Sequence, residues 1–241
     1  MNITTRTGSA RQNSVFSALD PMRGRLHEFY AATDEDDAAN LGLAALRAMQ
    51  IAADAPILWI RVARRQGKAS PYAPGLVDLG VDPGRLILVE ANDVFALLRT
   101  AGDAARCPGL GALLVETQGR LPELDLTASR RLLLAAERSR VTVLLARHDA
   151  SPVPSAAETR WRVAAAPSSR LGVAMAPGPP AFIVELLRRR GGPAGSRWCL
   201  EWNREQASFR ETALSGAMVS SVAGGADRAR QVAVRPFRTA A

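Results

Sequence analysis

The chain has 241 residues, 47% of them hydrophobic and 22% charged, which suits a soluble protein with one sizeable core. No run of 18 uninterrupted apolar residues occurs and the first eleven residues are polar, so neither a membrane-spanning helix nor a signal peptide is expected. The net charge of +8 is uneven: from Ser151 onward 13 Arg stand against 6 Asp or Glu, a balance of +7 that favours an acidic partner, nucleic acid or protein.

Residues 1–18 show no apolar period and read as a mobile arm. A short strand is expected over Leu26–Tyr30. Thr33 is placed to cap the next helix, with Asp36 three residues on as in a capping box. Leu41, Ala44, Ala45 and Ala48 then mark one helical face, and Pro56 leads into a buried strand, Ile57–Val62. Leu86–Val89, Ala112–Glu116 and Val141–Leu145 read as further strands. Between them, Val94, Leu97, Leu98 and Ala101, and then Ala128, Leu132, Ala135 and Ala136, fall at helical spacing. Short continuous apolar strands alternating with helices predict an α/β fold, a mainly parallel sheet covered on both faces.

After about residue 150 the pattern becomes one of alternation. Arg160–Val163, Phe182–Arg190 and Trp198–Trp202 predict antiparallel strands that extend the edge of the same sheet, with Trp198, Leu200 and Trp202 on one face. From Asn203 onward small and charged residues dominate. The expected organisation is therefore an arm at 1–18, a core at 19–203 and a flexible tail at 204–241.

Catalytic motifs are missing. Where a phosphate-binding loop would follow the first strand, the chain reads Ala31-Ala32-Thr33-Asp34-Glu35-Asp36-Asp37, with no glycine to close on phosphate and no lysine to reach it. Four carboxylates instead stand at the start of the helix, the end that attracts anions. The one lysine, Lys68, lacks the strand–loop–helix setting and reads as a solvated loop residue. Glu116, at a strand end, is expected to meet solvent or an arginine rather than a metal. His27 and His148 have no nucleophile motif beside them, and Cys107 and Cys199 lack metal-ligand spacing and read as reduced thiols. No enzymatic activity, cofactor or metal is expected.

The candidate contact residues are basic. Arg188, Arg189 and Arg190 end a predicted strand, and with Arg160, Arg162 and Arg197 they offer a face for an acidic protein or for phosphate. In the tail, Arg235 and Phe237 belong to a short apolar-basic segment that reads as a docking peptide. The tryptophans Trp161, Trp198 and Trp202 are expected in the core rather than on a base-stacking surface.

The order of elements resembles the RecA core. Tyr72-Ala73-Pro74 and Leu79-Gly80-Val81-Asp82 are similar to the segment after the second RecA strand, and Gly111–Glu116 stands where the Walker B strand lies. Within that superfamily the chain resembles the ImuA family of inducible-mutagenesis proteins. The resemblance rests on Leu26-His27-Glu28, Tyr72–Leu76, Leu124–Arg131, Ala135–Ser139, Thr159–Val163, Ala165–Ser168, Leu187–Gly192 and Trp198–Trp202, and spans residues 19–203. It implies a role in damage-induced translesion synthesis beside the pseudo-polymerase ImuB and a DnaE-type error-prone polymerase, with contact to RecA; with the missing phosphate loop and the reduced cysteines, the chain reads as a cytoplasmic, non-catalytic adaptor. Ala146-Arg147-His148 departs from RecA, which has a nucleotide-sensing glutamine at that strand end. Three alternatives stay open: a DNA-binding module with weak non-specific contact through the basic third, a cell-division inhibitor resembling SulA, and an unconventional ATPase with phosphate ligands outside the known motif.

Overall fold

The computed structural model describes residues 23–63, 71–168 and 178–213. Nine strands form one sheet in the order β3-β2-β4-β5-β1-β6-β7-β8-β9. These are β1 (Leu26–Ala31), β2 (Ile57–Val62), β3 (Leu86–Ala91), β4 (Ala112–Gln118), β5 (Thr142–His148), β6 (Thr159–Ala166), β7 (Ala181–Arg189), β8 (Arg197–Asn203) and β9 (Ser208–Thr212). The pairings from β3 through to β6 are parallel, and those of β7, β8 and β9 are antiparallel. The expected mainly parallel sheet with an antiparallel C-terminal extension forms, but Arg160–Val163, expected as an antiparallel strand, lies in β6 and runs parallel to β1; the reversal begins only at β7.

Four α-helices complete the described fold: α1 (Asp37–Ala52), α2 (Ala73–Asp78), α3 (Val94–Ala104) and α4 (Leu126–Ser139). Because successive strand residues point to opposite faces, β1 sends Phe29 to one side and Leu26 to the other. Phe29 joins Leu114, Leu144 and Ala146 under the buried stripe of α1. Leu26 joins Leu113, Val115, Val143 and Leu145 under α3 and α4. The first core continues into the extension, where Trp161, Trp198, Trp202 and Phe209 pack together. Trp202 also donates its indole N–H to Leu79 O at 2.8 Å, tying the extension to the turn after α2. The three tryptophans are core residues, as their alternation implied.

Where the last turn of α1 meets the start of β4, the backbones nearly touch. A Cβ at Gly111 would lie 2.6 Å from Ala52 Cα, so only glycine fits.

Three expectations need correction. Thr33 does not cap α1. Residues Asp34–Asp36 form a short 3-10 turn, Thr33 spends its hydroxyl on the Asp36 side chain, and the α-helix begins at Asp37. The segment 73–78, given no element in advance, is a short helix entered through Pro74, since proline is tolerated in the first turn. The sheet also runs past residue 203. Ser208–Thr212 pairs with β8, the Trp202↔Phe209 register placing an aromatic against the core. The N-terminal arm and residues from Leu214 onward lie outside the described residues.

Among the described residues no helix is long and apolar enough to cross a membrane.

Candidate functional site

In an open parallel sheet, ligand sites form beyond the carboxyl ends of the strands, where the strand order changes direction. Here that place lies beyond β1, where the chain turns into α1. The backbone leaves β1 along β6, with Ala32 N–H bonded to Val163 O at 2.8 Å. The carboxylates then fill the helix entrance themselves. Asp36 accepts the Ala165 N–H at 2.8 Å with one oxygen and the Thr33 hydroxyl at 2.8 Å with the other. Asp37 Oδ1 lies 3.0 Å from Nδ1 of the buried His148, at the end of β5. One turn further, Asn40 is fully buried and donates to Phe29 O at 3.3 Å and to Arg147 O at 3.2 Å. The first turn of α1 is thereby stitched to β1, β5 and β6. The sheet position that a triphosphate would need is held by negative charge and has no glycine cradle.

On the opposite face of β1 lies a buried polar cluster. Glu28, 1% exposed, accepts Arg160 Nε at 2.8 Å and the Tyr30 hydroxyl at 3.4 Å. The Tyr30 ring has guanidinium groups near it, Arg147 at 5.6 Å and Arg160 at 5.9 Å from its centroid. Burial pushes the Tyr30 phenol up to about 12, with the Glu28 charge adding to the effect and the two arginines opposing it. Arg147 is buried, and its Nε and Nη1 have no hydrogen-bond partner.

The basic contact candidates fall into different environments. Arg160 and Arg188 are direct partners in the β6–β7 register. Arg160 donates to Val153 O at 2.5 Å and to Ser155 Oγ at 3.0 Å, besides Glu28. Arg188 donates to Ser155 O at 3.0 Å and to Ala157 O at 3.4 Å. Both clamp the extended segment between β5 and β6. Arg162 pairs with Glu185 at 3.0 Å. Arg189 is half-buried against Gly192, and Arg190 is exposed at the turn after β7. The arginines counted as one face are thus split between internal fasteners and a solvent-facing remainder. Arg235 and Phe237 lie outside the described residues.

Glu116 does not meet solvent, one of the two partners expected for it. It is buried, and its carboxylate accepts the Trp59 indole N–H at 3.0 Å across the β2–β4 pairing. It borders a cleft of about 260 Å³ with Arg61, Thr117 and Gln118, but Arg61 is itself paired with Glu90 at 2.7 Å.

Together, this sheet and its strand-end arrangement define an α/β protein of the RecA-like class. Among solved structures, the RadB recombinase overlays with a TM-score of 0.56 at 15% identity, covering 83% of this chain and 97% of that one, a likeness of fold. SulA from Pseudomonas aeruginosa is similar over 53% of this chain and 99% of its own, with a TM-score of 0.39 and 20% identity, too low to argue from. No family model matches the chain. In sequence the chain is similar to Protein ImuA of Caulobacter vibrioides: in each of two strains the match is 40% identical over 155 residues, covering 60% of this chain. The ImuA resemblance read from the sequence therefore holds. The chain spans 59% of the length of those relatives.

Proposed function

We propose that this protein acts without catalysis, as an adaptor in damage-induced, error-prone lesion bypass in the cytoplasm. In this reading it brings together an ImuB-type pseudo-polymerase and a DnaE-type polymerase, and it touches RecA. The similarity to ImuA supports the pathway. The carboxylate-filled entrance to α1 supports the absence of hydrolysis: Asp36 and Asp37 stand where phosphate would be gripped, Asp36 held by the Ala165 N–H and Asp37 lying 3.0 Å from His148. A rigid sheet is a suitable platform for contacts of this kind, with an apolar anchor giving most of the affinity and surrounding charge setting encounter and orientation.

The experiment is genetic. Deleting the gene lowers the frequency of mutations induced by ultraviolet light or mitomycin while leaving homologous recombination at the parental level. Unchanged induced mutation after deletion would overturn the reading.

A further inference from the structure

Helices α3 and α4 lie side by side over the second core, and the furrow between them is open. Two recesses, of about 470 and 480 Å³, share Arg106 and Arg131 and so form one continuous groove. Apolar side chains line part of it: Leu98, Ala128 and Leu132 at one end, Leu134 and Ala135 at the other. Phe95 stands beside it with 72% of its surface exposed, and Leu134 with 43%. Single exposed apolar residues are ordinary, but several along one furrow mark a contact surface.

The rim is cationic. Arg131 and Arg138 are seven apart on α4 and project along one side of it, while Arg99 on α3 and Arg106 in the turn just after it both border the groove. Arg99, Arg131 and Arg138 are exposed and make no hydrogen bond or ion pair among the described residues. Arg106 alone is engaged, with Gly102 O at 2.9 Å and with Asp103 at 3.2 Å, an exposed pairing of little worth. Set against these four arginines are two lining carboxylates, Asp103 and Glu123.

We infer that the α3–α4 groove is a docking site for an acidic amphipathic helix of another protein. Its length fits: α4 has 14 residues, about 21 Å of helix, room for apolar anchors at i, i+3 or i+4, and i+7. Its charge asks for Asp and Glu flanking those anchors. This chain does not supply such a segment from its ends. Residues 214–241 hold four arginines and one aspartate, and residues 1–22 hold two arginines and one aspartate. A second copy, at +8 overall, is opposed by like charge. Nucleic acid fits less well, because Asp103 and Glu123 stand in the path of a continuous phosphate backbone and the apolar side chains have nothing to offer it. The inference deepens the adaptor reading and rests on it only in assuming a protein partner.

The test is a displayed library of peptides of about 14 residues, selected on the full-length protein and counter-selected on the Arg99→Glu/Arg131→Glu variant. Survivors should be rich in Asp and Glu, with large apolar residues at helical spacing. A labelled survivor should bind the parent saturably at about 0.15 M salt and lose at least about tenfold in affinity on the double variant and on Phe95→Ser. All three positions are exposed, so thermal melts should match the parent, and the two variants check each other. Survivors without acidic bias, or none that discriminate, would overturn the inference. So would a labelled oligothymidylate of about 20 nucleotides that binds the parent and loses its binding on the same variants. Mutation frequency is a separate readout, so this result and the one for lesion bypass can fail independently.

Discussion

Arg160 and Arg188 face each other across the β6–β7 ladder, and both close on the segment 153–157. Their register depends on an irregularity between Arg160 and Trp161, where Trp161 pairs with Leu186 and Leu187 is left over. Two like charges become direct neighbours because each has carbonyl or carboxylate oxygens to donate to. This makes them structural residues. Arg160→Ala strands the buried Glu28 carboxylate and should cost about 3–5 kcal/mol, the usual penalty for breaking a buried pair. Arg188→Ala removes charged hydrogen bonds at a half-buried position and should cost about 1.5–3 kcal/mol. Arg190→Ala, at an exposed turn, should stay within about 0.5 kcal/mol of the parent. Urea unfolding of the three single variants checks this order, and the arginine triplet has to be dissected one residue at a time.

The Tyr30 phenol gives a signature in alkaline solution. Its folded value of about 12 lies above the ordinary 10.0, so the neutral phenol is the favoured form in the fold. The associated stability is complete below pH 10, where folded and unfolded chains both hold the proton. Above that, the unfolded chain binds fewer protons than the folded one, and stability falls until the folded phenol itself ionises near 12. The loss across that window is roughly 2–3 kcal/mol at about 1.4 kcal/mol per pH unit. Tyr30→Phe should lack this part of the decline. The comparison to make is urea midpoints for parent and variant between pH 9 and pH 12; parallel curves would remove the assignment.

Two positions test how α1 is fixed to the sheet. Gly111→Ala places a methyl group 2.6 Å from Ala52 Cα and forces backbone movement, at a cost of about 1–3 kcal/mol. Asn40→Ala removes both backbone contacts of a fully buried amide and should cost about 1–3 kcal/mol. Denaturant melts with circular dichroism report both. A neutral Asn40→Ala would mean that the helix entrance is held by the aspartates alone.

Much of this fold was legible in the sequence, and the legible parts share a cause. Ile57–Ile60 is a continuous apolar run, and Trp198, Leu200 and Trp202 alternate, so local pattern alone fixes their strand state. β9 was not legible: Ser208–Thr212 has one large apolar residue, Phe209, and becomes a strand because β8 offers an open edge. Thr33 had the right sequence for a cap, but a hydroxyl can serve the Asp36 carboxylate instead of a backbone N–H, and composition does not choose between them. Glu116 finds Trp59 across the sheet, 57 residues away in sequence. The candidate contact surfaces divided in the same manner. The run Arg188–Arg190 was conspicuous but mixes a fastener with an exposed residue. The seven-residue spacing of Arg131 with Arg138 was in plain view, yet it acquires meaning only once α3 and α4 are side by side.

On the proposed reading, the entrance to α1 is filled by this protein's own carboxylates and binds no nucleotide. Isothermal titration of the full-length protein with Mg-ATP, alongside Asp36→Asn and Asp37→Asn, tests it directly. The account predicts no saturable heat for any of the three up to about 1 mM nucleotide. Saturable binding by the parent, with the γ-phosphate located against residues 31–40 in a co-crystal, would contradict it.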